Sequence, residues 1–66
     1  MKTVKQKLDE GWYLNCLRKG ESDDMVRRKI LIDLKLELDN NESAIYAMFI
    51  WGEVVKQYLR YNQQTI

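Results

Sequence analysis

Sixty-six residues make one small domain, residues 1–66, with a thin core, because a chain this short buries only about 60% of the surface it exposes when unfolded. The single cysteine, Cys16, rules out an internal disulfide, and one thiol with no histidine rules out the usual four-ligand zinc sites, which leaves association as the route by which so small a fold gains stability. A content of 45% hydrophobic and 32% charged residues without proline excludes the disordered, collagen-like and disulfide-framework classes, and 11 basic against 10 acidic residues fall far short of a dedicated nucleic-acid binder.

The opening segment, Met-Lys-Thr-Val-Lys-Gln-Lys, is charged but leads into no apolar stretch of the kind a secretory signal carries. The longest continuous apolar run, residues 44–51, is less than half of the roughly 20 residues that a membrane span needs. A cytoplasmic protein without membrane contact is expected. Thr3 and Gln6 have the spacing of a capping box, which predicts a first helix over about residues 3–18. Val4, Leu8 and Trp12 follow at i+4 intervals, Leu14, Cys16 and Leu17 widen the stripe, and Gly20 suits a C-terminal cap. Gly11 costs about 1 kcal/mol relative to alanine inside a helix, so Asp9-Glu10-Gly11 is the alternative break between two short helices.

Ser22 followed by Asp23 and Asp24 is the strongest local signal: an N-capping hydroxyl, then two carboxylates at the positive end of the helix dipole. A second helix is predicted over about residues 23–38, supported by Asp23 before Arg27 and Asp24 before Arg28 at i+4. Val26, Ile30, Leu31, Leu34 and Leu38 then share one face. The same stretch also alternates Ile30, Ile32, Leu34, Leu36 and Leu38 with Asp33, Lys35, Glu37 and Asp39, the pattern of a half-buried strand. Helix is the preferred reading, since Leu, Lys and Glu favour it and a strand finds a partner only in residues 12–17 or in a second chain. An α+β fold with residues 30–38 as a strand is the alternative.

Asp39-Asn40-Asn41-Glu42-Ser43 reads as a turn in which Asn41 or Ser43 caps a third, long helix over about residues 43–62. At 100° per residue Ile45, Met48, Phe49, Gly52, Val55 and Leu59 gather on one side, and Ala47, Ile50, Trp51, Val54, Tyr58 and Tyr61 on the other. Only Glu53, Lys56, Gln57 and Arg60 form a clearly polar stripe. Two shorter helices do not cover both apolar arcs, so one arc is expected to lie against another molecule. Phe49 and Trp12 are assigned to the interior. Ile50, Trp51, Val54, Tyr58 and Tyr61 are assigned to the partner interface, because Trp and Tyr join large contact area to a polar tip. The expected fold is all-α, a compact three-helix domain associating through its third helix.

The residue types of catalysis are scarce. Histidine, the commonest general acid and base at neutral pH, is absent, and Cys16 therefore has no imidazole to draw off its proton. Gly11, Gly20 and Gly52 are too scattered for a phosphate cradle. Asp39, Asn41 and Ser43 imitate the first ligands of a calcium loop, but Ala44 stands where glycine is needed and Ile50 where the bidentate glutamate belongs. Asp23 with Asp24, and Glu37 with Asp39, are explained as caps or solvent-facing charges. No enzymatic activity, cofactor or metal is expected. The densest positive patch, Arg18, Lys19, Arg27, Arg28 and Lys29, is the candidate nucleic-acid contact, with a solvated face as its simpler explanation.

Tyr13-Leu14-x-x-Leu17-Arg18, then Ser22-x-Asp24, then Glu37-Leu38-Asp39-Asn40-Asn41-Glu42 before a long aromatic-bearing helix, resembles the Hha/YmoA modulators, which bind a nucleoid-structuring protein. The charged motif that this family carries in its third helix is replaced here by Phe49-Ile50-Trp51-Gly52. The resemblance implies, as the alternative function, a small nucleic-acid-binding or nucleoid-associated modulator. The favoured expectation is a cytosolic interaction module, working as a homodimer, that binds another protein and modulates or inhibits it.

Overall fold

A computed structural model of the chain describes residues 2–63 and the backbone of Gln64. Among the described residues there are four helices and no strand: α1 (Val4–Asp9), α2 (Trp12–Arg18), α3 (Asp23–Lys35) and α4 (Asn40–Gln64). The all-α expectation holds. The count of three helices does not, because the segment predicted as one helix over residues 3–18 is broken at Gly11. That residue has φ +79°, a left-handed conformation that side chains with a Cβ rarely adopt, and it ends α1 while serving as the N-cap of α2.

The first helix starts where its capping box places it. Thr3 Oγ1 accepts from the Gln6 amide at 3.2 Å, and Gln6 Oε1 accepts from the Thr3 amide at 2.8 Å. Ser22 caps α3 by accepting from the Met25 amide at 3.2 Å, with Asp23 and Asp24 in the first turn. The ion pair in that turn joins Asp24 to Arg27 at i+3, with 2.6 Å between Oδ1 and Nη2, in place of the two i+4 pairs expected from spacing.

Two boundaries differ from expectation for identifiable reasons. α3 stops at Lys35 rather than 38, and the chain turns so that the Glu37 carboxylate accepts from the Val4 amide at 2.8 Å, which serves an N-terminal donor of α1 that the helix itself leaves without a partner. Residues 30–35 are helical and 36–38 form a turn, so the strand alternative over 30–38 is also corrected. α4 starts at Asn40, and its cap is Asp39, whose Oδ1 accepts from the Glu42 amide at 2.8 Å. Neither Asn41 nor Ser43 caps it. Ser43 is buried instead and donates its hydroxyl to the Asp39 carbonyl.

The core lies where α3 crosses α4, with α1 and α2 closing it from one side. Val4, Tyr13, Val26, Ile30, Leu34 and Val54 are buried, and Leu8, Cys16, Leu17, Leu38, Ala47, Ile50 and Trp51 pack around them. Phe49 and Trp12, assigned to the interior from sequence, lie outside it, at 65% and 45% exposure. Trp12 sits under the Lys2 and Lys7 ammonium groups, 5.6 and 5.3 Å from its ring centre, which keeps one face of the indole covered at the surface.

The ranking of stability losses checks this core. Ile30→Ala is expected to cost roughly 2–5 kcal/mol by emptying the α3–α4 seam, and Ser22→Ala about 1 kcal/mol by removing a cap. Met48→Ala, on the open side of α4, is expected to change little, and urea denaturation of the three variants at low protein concentration reads the order directly.

Candidate interaction surface

The 25 residues of α4 carry both apolar arcs, and the structure decides between them. Val54 is fully buried, and Ala47, Ile50, Trp51, Tyr58 and Tyr61 are half-buried on the same arc, turned toward the other helices. The Arg27 guanidinium lies 5.5 Å from the Trp51 ring centre, and that of Arg18 lies 4.3 Å from Tyr61. Of the residues assigned to a partner interface, Val54 therefore belongs to the chain's own core and Ile50 and Trp51 pack against it, while Tyr58 and Tyr61 are half-buried beside Asn15, Arg18 and Lys19.

The opposite arc is the open one. Ile45 (56%), Met48 (76%), Phe49 (65%) and Leu59 (56%) are each more than half exposed, and Tyr46 leans on Phe49 with ring centres 6.4 Å apart and planes at 57°. The sequence contains a signal that separates the arcs. The inward side has small residues, Ser43 and Ala47, at the start of the helix, where the approach to α3 leaves no room for bulk, while the outward side has Met48 and Phe49 at the same level.

The basic residues do not make one surface. Arg27 and Arg28 line one shallow concavity with Asp24, Leu31 and Ala47, while Lys29 lines another with Tyr13, Cys16 and Asp33. Arg27 turns to Asp24 and Trp51, while Lys29 turns to Glu21, 2.5 Å away, and to the Cys16 sulfur at 3.7 Å. Arg18 is engaged with Tyr61 and with Asn15 at 3.5 Å; Lys19 and Arg28 are exposed.

The polar groups that are held tightly bind the fold together. Tyr13 donates its hydroxyl to Asp33 Oδ2 at 2.7 Å, and Lys7 Nζ lies 3.1 Å from the same oxygen, so one carboxylate joins α1, α2 and α3. Burial pushes the Tyr13 phenol far above its ordinary range, and the neighbouring Asp33 charge adds to the effect. Burial also raises the Cys16 thiol, with the hydrogen bond to Glu21 adding to it and the Lys29 charge opposing it. The Glu21 carboxylate is held below its ordinary value by the hydrogen bond from Lys29, and the Lys29 ammonium above its own by the same contact. Among the described residues no cluster of three or more Cys, Asp or Glu side chains is arranged to hold a metal ion, and no helix is long and apolar enough to cross a membrane. No protein-family model, curated protein or solved structure matches the chain.

The Tyr13–Asp33 contact sets an alkaline limit. A folded-state value raised above the unfolded one means that the folded chain keeps the phenol proton longer. The stabilisation is full below the ordinary tyrosine value of about 10 and is lost as the pH climbs above it. Tyr13→Phe is expected to cost about 1 kcal/mol near neutrality and to flatten the fall in stability from about pH 9 to 12, measured by denaturant unfolding of both proteins. Parallel curves would contradict this role for the hydroxyl.

Proposed function

We propose that this chain is an interaction module with no chemistry of its own, a cytoplasmic protein that works as a homodimer and modulates or inhibits another macromolecule by binding it. The observation that carries this reading is the outer arc of α4. Ile45, Met48, Phe49 and Leu59 together present on the order of 500 Å² of apolar surface, at the upper end of what a stable monomer ordinarily shows to water. At roughly 25 cal/mol per Å² that area is a strong drive to association.

A second copy is the occupant favoured here. The single cysteine forms no internal disulfide, no metal-ligating cluster is arranged among the described residues, and pairing through α4 supplies apolar burial that the thin core lacks. Two copies of the arc together offer on the order of 1,000 Å², the lower end of specific protein interfaces. The dimer then leaves the α1–α3 side of each copy free for the macromolecule that is modulated. A nucleic-acid partner, contacted through Arg18, Lys19, Arg27, Arg28 and Lys29, is the competing outcome. It receives less support because three of the five side chains are engaged within the chain.

Sedimentation at micromolar concentration tests the reading. The native chain is expected to run as a dimer, and Met48→Glu and Phe49→Glu to run as monomers with unchanged helical circular dichroism, since neither side chain is part of the core. A native chain that is monomeric and folded overturns the dimer. A mobility shift of random duplex at about 50 mM salt, abolished by Arg27→Ala with Arg28→Ala, would replace the protein partner with nucleic acid.

A further inference from the structure

We infer that the two copies pair through α4 antiparallel, about a twofold axis passing beside Gly52, with Glu42 of each copy facing Arg60 of the other. This rests on the homodimer reading above and adds the orientation, the register and the contact at the centre.

Three independent features of the outer arc lead to it. The first is position. Gly52 stands seven residues from both Ile45 and Leu59, which bound the exposed arc, and seven residues are nearly two helical turns, so the three lie almost in line. Laid antiparallel with Gly52 on Gly52, the arc is its own complement. Ile45 meets Leu59 of the second copy, and on the two flanks Met48 meets Val55 and Phe49 meets the aliphatic stem of Lys56. Ile45, Met48, Phe49 and Leu59 are exposed on the outer arc, Val55 at its edge is half-buried, and the exposed Lys56 borders it.

The second is charge. Glu42 and Arg60 are eighteen residues apart, five full turns, and so project from the same flank of α4 near its two ends. A twofold axis perpendicular to both helices brings like flanks together in opposite directions, which sets Glu42 beside Arg60 of the second copy, twice per dimer. Parallel pairing makes no such ion pair, because Glu42 and Arg60, eighteen residues apart, then lie at levels about 27 Å apart along the axis. The antiparallel arrangement also opposes the two helix dipoles favourably.

The third is the glycine itself. Inside a helix it costs about 1 kcal/mol relative to alanine, and nothing within the chain calls for it. Its φ is not positive, and a Cβ built there meets no atom within 4 Å. A crossing point between two helices supplies the reason, since the absence of a side chain lets the backbones approach closely at the centre of the contact.

Disulfide trapping in a Cys16→Ser background tests the arrangement. Gly52→Cys is expected to cross-link to itself on mild oxidation. Ile45→Cys mixed with Leu59→Cys is expected to give the mixed dimer, while each of these two alone gives less than a tenth of that yield. Gly52→Leu, which improves helix propensity and leaves the folded monomer intact by circular dichroism, is expected to weaken the dimer at least tenfold despite its added apolar surface. Self-linked Ile45→Cys and Leu59→Cys without the mixed species means parallel pairing. No cross-link in a parent that sediments as a dimer means another surface. A Gly52→Leu dimer as tight as the native one removes the close approach. Each of these overturns the inference while the homodimer stands, whereas a parent that sediments as a monomer overturns both.

Discussion

The packing of α3 against α4 is the contact on which the rest of the structure depends. Val26, Ile30 and Val54 are without exposure there, and the buried Ser43 and half-buried Ala47 let the two helices approach at the start of α4. Two of these three side chains are valines and the third is isoleucine, all stiff at χ1, so they fill the seam at small entropic cost. Once Val54 faces inward, the helical period leaves no freedom for the rest of α4. Ile45, Met48, Phe49 and Leu59 must face out, and a single rotational setting defines both the core and the apolar surface.

The shorter helices depend on that seam. With six and seven residues, α1 and α2 are below the length at which an isolated helix persists in water, so tertiary ties must hold them. Polar contacts supply several: Val4 to Glu37, Tyr13 and Lys7 to Asp33, and Gln57 Nε2 to the Leu8 carbonyl at 3.1 Å. Basic residues contribute as well, since Arg18 and Arg27 lie over Tyr61 and Trp51. Positive charge that a linear reading groups into a patch is thus partly directed at the protein's own aromatics, which keep one face covered without entering the core.

The elements most legible in the sequence are those whose cause lies within a turn or two of chain. Thr3 with Gln6, and Ser22 with Asp23 and Asp24, cap the helices they announce, and the doubt raised by Gly11 is resolved as a break. Residues 30–35 show why alternation alone is weak evidence for a strand: the same apolar positions fit a helical face, and Val26, Ile30 and Leu34 bury along it. The end of α3 was not legible, because it accompanies a contact between Glu37 and Val4, residues 33 positions apart. The candidate surface was half legible. That α4 has one arc too many follows from its residues, but the arc richer in Trp and Tyr turns inward, where Trp51 packs on the core and Trp51 and Tyr61 each receive an arginine.

By itself the sequence determined the helical class, the capped starts of α1 and α3, the poverty of catalytic groups and the surplus of apolar surface on the last helix, because each follows from composition or from neighbours along the chain. Only the tertiary structure decided which arc of α4 is covered, where α3 stops and how the basic residues are shared out. Those outcomes depend on which side chains fit at the α3–α4 crossing and on contacts between residues far apart in sequence, and a helical period that is apolar on two sides carries no information about which side meets the neighbour.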